Sequence, residues 1–180
     1  MVKHVEIVNA QGEVLRGYYT EPENFNGDVV VMLHGFTGNK TEHAGHFRNF
    51  SRILLENSVA SLRMDFSGNG ESDGEFRDFT YDTMIAEALQ MIDYARSVKG
   101  FKRLFLLGFS MGGAIAANIS GIVPEKIDKL INIMDNFLHP IESFKEFGYQ
   151  LLINIDKFSF NICLLAGFIA LLLYVFGYDK

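Results

Sequence analysis

The sequence predicts an α/β fold: a mostly parallel, doubly wound sheet preceded by an antiparallel hairpin. Three observations carry this. From Asp28 onward, short apolar runs alternate with longer amphipathic stretches. The run Asp28-Val29-Val30-Val31-Met32-Leu33-His34 is apolar on both faces, as strands are when helices cover a parallel sheet on each side. The first twenty residues instead alternate polar and apolar positions, which suits strands buried on one face.

Taken in order, His4 to Asn9 and Val14 to Thr20 read as two strands turning at Gln11-Gly12. The valine-rich run follows. Residues 43 to 56 place Phe47, Phe50, Ile53 and Leu54 at helical spacing. Val59 to Met64 reads as the next strand, and a glycine-rich loop covers Asp65 to Gly74. Residues 81 to 97 set Met84, Ile85, Ala88, Leu89, Ile92 and Ala95 on one helical face. Arg103 to Leu107 is a short buried strand, Gly113 to Asn118 starts a helix, and Lys129 to Met134 is the sixth strand, after a turn at Pro124. No internal repeat is visible.

The 180 residues suit one ordinary domain. A net charge of −6 gives no electrostatic reason to expect nucleic acid as a partner. A lone cysteine, Cys163, excludes an internal disulfide and fits a reducing compartment. The alternating N-terminus has no basic head and apolar run of a secretory signal, so the expected location is cytoplasmic.

The segment Gly108-Phe109-Ser110-Met111-Gly112 sits between a strand and a helix. Strand, Gly-x-Ser-x-Gly, helix is a nucleophile elbow, a tight strained turn that lifts a serine hydroxyl above the carboxyl end of a sheet. Gly108 and Gly112 answer a steric demand, since larger side chains on either side of Ser110 would collide. Acyl transfer also needs donors for the developing oxyanion. The N–H of Met111, at the start of a helix, is one; the N–H of Phe36, in the loop His34-Gly35-Phe36-Thr37-Gly38 at the end of the valine strand, is the other.

Together, His34 to Gly38, the stretch Arg63-Met64-Asp65-Phe66-Ser67-Gly68-Asn69-Gly70-Glu71-Ser72, and Gly108 to Gly113 resemble the α/β-hydrolase superfamily. Their order and spacing are similar to its serine esterase, monoacylglycerol lipase-like and serine aminopeptidase-like branch, and to feruloyl esterases. The resemblance covers about Val2 to Ile133. It implies an α/β-hydrolase fold and a serine hydrolase cleaving a small-molecule carboxylic ester without metal or organic cofactor. It assigns Ser110 as nucleophile and the N–H groups of Phe36 and Met111 as the oxyanion hole, and it makes His34 a structural residue that holds the oxyanion loop. Asp65 and its loop then pack beside the site rather than binding metal or phosphate. His43 and His46 are surface residues at a helix start, and Asp73 and Glu75 are solvated.

Family members continue with an acid and then a histidine. Here the one histidine after Ser110 is His139, the candidate base, and the acids preceding it, Asp128 and Asp135, do not match the family's acid position. Asp156 and Asp179 come after it, in the wrong order. The expectation is a hydrolase core over residues 1–134, truncated or altered after about residue 133, with the last strands missing. That leaves the edge beside Leu130 to Met134 open to self-association. Residues 135–157 read as a divergent linker or an amphipathic helix over 140–152. Residues 158–178 carry no charge and are long enough to cross a hydrocarbon core of about 30 Å, so they read either as a membrane anchor or as a buried or aggregation-prone tail. The alternative function is a non-catalytic hydrolase-like protein tethered to a membrane.

Overall fold

The computed structural model describes residues 1–133. His139, Asp135, Asp156, Asp179, the helix expected over 140–152 and the apolar stretch 158–178 lie outside the described residues. Among the described residues, no helix is long and apolar enough to cross a membrane.

Among the described residues, six strands form one sheet in the order β1-β2-β4-β3-β5-β6: β1 (Val2–Val8), β2 (Val14–Thr20), β3 (Asp28–Leu33), β4 (Ala60–Met64), β5 (Arg103–Phe109) and β6 (Lys129–Ile133). The β1–β2 hairpin is antiparallel, in register from Val2 opposite Thr20 to Val8 opposite Val14, and β2 joins the rest of the sheet antiparallel to β4. β3, β4, β5 and β6 are mutually parallel. Three helices connect them: α1 (His46–Glu56), α2 (Tyr81–Ser97) and α3 (Met111–Ile122). Among the described residues β6 pairs with β5 alone and is the outer strand on that side.

β3 behaves as its composition demands, since all six residues are buried. One of them is a carboxylate. Asp28 opens the strand opposite Arg103 in the neighbouring register and takes a two-pronged bond from its guanidinium, Nε to Oδ1 at 2.8 Å and Nη2 to Oδ2 at 2.6 Å. That fork satisfies the charge where the chain enters the core.

α2 begins at a reciprocal cap in which Thr80 and Thr83 each accept the other's backbone N–H. Its buried face holds Met84, Ala88, Ile92 and Ala95, as the spacing predicts, but also Met91 and Glu87, while Ile85 and Leu89 lie at its margin. Glu87 is buried on an apolar face because its two carboxylate oxygens are used: Oε1 accepts from Asn9 Nδ2 at 2.9 Å and Oε2 from the Ser67 N–H at 3.0 Å. α1 starts three residues later than the periodicity predicts. A tight turn at His43–Gly45 precedes it, and Ala44 there has φ 51°, which no α-helix accommodates. Ile53, expected on its inner face, is partly exposed, and Ser51 is buried instead.

Candidate active site

The site forms where β3 and β5 end side by side, with Leu33 in register with Gly108. β5 runs directly into α3 through Ser110, whose backbone adopts φ 51° and ψ −117°. A non-glycine residue there carries strain of order 1–3 kcal/mol, and such strain concentrates at functional sites. Ser110 stands at the N-cap of α3, where a serine hydroxyl ordinarily accepts a backbone N–H from the first turn. It makes no such bond. The helix closes instead through the Ser110 carbonyl, which accepts from Gly113 at 2.9 Å and Ala114 at 3.3 Å. The side chain is exposed and its hydroxyl is not spent on capping. Met111 is the first residue of α3, so its N–H has no acceptor within the helix.

The two glycines around Ser110 are required, though not because they face each other's side chains. A Cβ on Gly108 would strike the carbonyl of Gly112 and approach the Gly113 Cα at 2.5 Å. A Cβ on Gly112 would strike the carbonyl of Leu33 and lie 2.6 Å from that of His34. The second contact is with β3. Gly112 is small because α3 lies directly against the end of the strand that carries the other half of the site.

That strand leads into residues 34–38. His34 is fully buried and both ring nitrogens are engaged. Nε2 accepts the Phe66 N–H at 3.1 Å, so the proton sits on Nδ1 and is donated to the Gly35 carbonyl at 2.9 Å. Burial pushes the imidazole below its ordinary value, which keeps it neutral. The Gly35 carbonyl also accepts from Gly38 at 3.0 Å. In a trans peptide the N–H points opposite the carbonyl, so fixing the Gly35 carbonyl also fixes the direction of the Phe36 N–H. A Cβ on Gly35 would lie 3.3 Å from the Ser110 Cβ, which puts this loop in contact with the Ser110 turn. The Phe36 ring is exposed and packs near Phe76 and Phe79, with centroids at 5.4 and 6.4 Å, while Phe76 and Phe79 stack at 5.6 Å.

Asp65 anchors the loop after β4. Its carboxylate is fully buried and accepts from the Lys40 N–H and Nζ, each at 2.5 Å, and from the Glu71 N–H at 2.8 Å. A Cβ on Gly70 would collide with that carboxylate. Burial works against the Lys40 charge, but the bonds it donates to the Asp65 and Glu71 carboxylates hold its ammonium above the ordinary lysine value. Asp73 is exposed, as the sequence predicts, and is also paired. It bonds Arg16 Nη1 at 2.5 Å and the Val14 N–H at 3.1 Å, and the Arg16 bond holds it below the usual carboxylate range. Glu75 is exposed, as is His43, while His46 is half-buried.

The structure thus brings Ser110, Met111 and the Gly35-Phe36 turn together. His139, the candidate base, lies outside the described residues, and among the described residues no histidine is bonded to Ser110. Asp128 is committed elsewhere, since its Oδ2 accepts the Leu104 N–H at 2.8 Å at the opening of β5, the opposite end of the strand from Ser110. Glu42 and Glu87 escaped the sequence reading. Both are buried carboxylates that accept main-chain N–H groups, and only the unusual position of Glu87 on an apolar helix face could have signalled it.

Comparison with known proteins shows what the chain is similar to. The family described as serine aminopeptidase, S33, matches residues 26–147. Human monoglyceride lipase is 31% identical over 111 residues, 61% of this chain and 35% of the relative. Protein phosphatase methylesterase 1 of Candida albicans is 29% identical over 127 residues, 71% of this chain and 34% of the relative. The chain therefore spans about a third of the length of these curated relatives. Among solved structures, Est1E from Butyrivibrio proteoclasticus with ferulic acid bound superposes with a TM-score of 0.63 at 29% identity, over 70% of this chain and 50% of that one. An esterase of Pyrococcus furiosus gives 0.56 at 28% identity, over 66% and 46%.

Proposed function

The chain belongs to the serine aminopeptidase, S33, family of α/β hydrolases, and we propose that it is a serine hydrolase that cleaves a carboxylic ester through an acyl-enzyme on Ser110. The observation that carries this reading is the N-cap serine whose hydroxyl is exposed and unused in capping, held at φ 51° on a turn that touches the Gly35 loop. A structural serine at that position would use its oxygen on the helix.

In the proposed reaction, Ser110 Oγ attacks the ester carbonyl and gives its proton to a base, for which His139 is the candidate. The carbonyl oxygen takes up negative charge and is met by the N–H groups of Phe36 and Met111. Collapse of the tetrahedral species breaks the bond to the alcohol, which leaves with the proton from the base, and water then hydrolyses the acyl-serine by the reverse sequence. Each oxyanion donor contributes on the order of 3 kcal/mol to the transition state. The exposed rings of Phe36 and Phe76 offer an apolar surface for the acyl or alcohol group.

The test is labelling by a fluorophosphonate, with hydrolysis of a short p-nitrophenyl ester alongside. The expected result is a labelled Ser110 and turnover, both lost in Ser110→Ala. A folded wild-type protein that neither labels nor turns over the ester would overturn the reading and leave a non-catalytic hydrolase fold.

A further inference from the structure

Residues 37–45 follow an unusual path. Thr37, Glu42 and Ala44 all have positive φ, at 59°, 56° and 51°, and none is a glycine. Such conformations persist only where surrounding bonds impose them. Glu42 is the centre of these bonds. It is buried, its Oε1 accepts the N–H of its neighbour His43 at 3.1 Å, and its Oε2 reaches seven residues back to accept the Gly35 N–H at 2.9 Å. Capping the short turn at His43–Gly45 needs the first of these bonds and not the second. A Cβ on Gly38 would stand 3.0 Å from the Glu42 Oε2, so the loop is also bare where this carboxylate passes.

The second bond answers a particular difficulty. Glycine suits residue 35 because a Cβ there would sit a tight 3.3 Å from both the Ser110 Cβ and the Phe109 carbonyl oxygen. Glycine is also the residue with the most backbone freedom. The peptide that follows it, Gly35-Phe36, is held at its carbonyl by His34 and Gly38. The peptide that precedes it, His34-Gly35, carries the N–H bound by Glu42. With both planes fixed, Gly35 can no longer rotate between them.

We propose that Glu42 is a positioning residue, whose buried carboxylate locks the hinge at Gly35 so that the Phe36 N–H is preset toward the carbonyl attacked by Ser110. The kinetic consequence rests on the ester-hydrolase reading above; the locking of Gly35 does not. A preset donor costs no reorganisation during reaction, so its loss appears in the chemical step rather than in substrate binding.

The experiment compares wild type with Glu42→Ala and Glu42→Gln by ester kinetics and by backbone amide NMR. Glu42→Ala is expected to lower kcat at least about tenfold with KM little changed, and to move the Gly35 amide proton upfield with loss of its exchange protection. Glu42→Gln keeps an oxygen acceptor, so it is expected to recover most of kcat while the Gly35 amide still shifts upfield, a neutral acceptor being weaker than a charged one. An unchanged kcat in Glu42→Ala overturns the proposal, and so does a loss confined to KM. If Glu42→Ala does not fold, Glu42→Gln decides, and an unmoved Gly35 amide overturns it. If wild type neither labels nor turns over ester, the hydrolase reading fails separately. The amides then decide alone: displaced Gly35 and Phe36 signals in an otherwise native Glu42→Ala spectrum uphold the locking role, and unmoved ones overturn it.

Discussion

The main-chain N–H of Phe66 donates to Nε2 of His34 at 3.1 Å. One bond between the β4 loop and the β3 loop thereby selects the imidazole tautomer, and the tautomer in turn fixes the Gly35 carbonyl. Protonation would place a second hydrogen on Nε2, facing the Phe66 N–H, so the folded chain resists it.

This gives a pH dependence with a definite sign. His34 in the folded chain titrates below its ordinary value of 6.5, because burial disfavours the charged ring. The unfolded chain takes up the proton as pH falls through about 6.5 while the folded chain does not. The stability contribution is therefore complete above that pH and is lost as pH falls from there toward the folded value, at up to about 1.4 kcal/mol per pH unit. Urea unfolding at several pH values should show this slope in wild type and not in His34→Gln. Parallel slopes in the two proteins would refute it.

The strain at Ser110 should be recoverable as stability. Glycine adopts φ 51° without steric cost, and the serine hydroxyl contributes no capping bond to be lost. Ser110→Gly is expected to raise the unfolding free energy by about 1 kcal/mol while abolishing labelling and turnover. Ser110→Ala should lose activity without that gain, since alanine keeps the Cβ. Equal stability of the two variants would argue against a strained turn.

Much of the fold was legible because its signals are local. The β-branched run at 28–33, the helical face of 81–97 and the Gly-x-Ser-x-Gly turn each follow from residues adjacent in sequence. What escaped depends on partners far along the chain. Glu87 reads as an error on an apolar face until Asn9 and Ser67 arrive from elsewhere, and the Arg16 partner of the exposed Asp73 stands 57 residues earlier in the chain. Glu42 is harder still. Its role depends on a positive φ and on a glycine seven residues earlier, neither of which leaves a periodic trace. The start of α1 was misplaced for the same reason, as Ala44 and Gly45 bend the chain where composition alone suggests helix.

The Lys40–Asp65 pair ties the exit of the β3 loop to the loop after β4, with both side chains nearly excluded from water at 7% and 0% exposure. Removing Asp65 leaves the buried Lys40 ammonium with only the exposed Glu71 carboxylate, and removing Lys40 leaves the buried Asp65 carboxylate with main-chain donors. Asp65→Ala, which also deprives the Lys40 and Glu71 N–H groups of their acceptor, should cost about 3–5 kcal/mol. Lys40→Met should cost less, because both backbone donors to Asp65 remain. Denaturant midpoints in the reverse order would contradict the assignment of Asp65 as the organising group.

Two glycines in α3 make opposite predictions from the same substitution. Gly112 faces the carbonyls of Leu33 and His34 with no room for a methyl group, and those atoms are backbone that cannot rotate aside. Gly112→Ala must push α3 away from β3, at a cost of about 1–3 kcal/mol from overpacking alone. It also separates Met111 from the Gly35 loop, so the labelling rate of Ser110 should fall at least about tenfold as a misplaced oxyanion donor stops contributing. Gly121, nine residues on, is exposed, and a Cβ there meets nothing within 4 Å. Gly121→Ala keeps the helix and removes backbone freedom from the unfolded chain, which should stabilise by about 0.5 kcal/mol with labelling unchanged. The pair separates helix propensity from site geometry. If both variants label at the wild-type rate, contact between α3 and the end of β3 is not what builds the site.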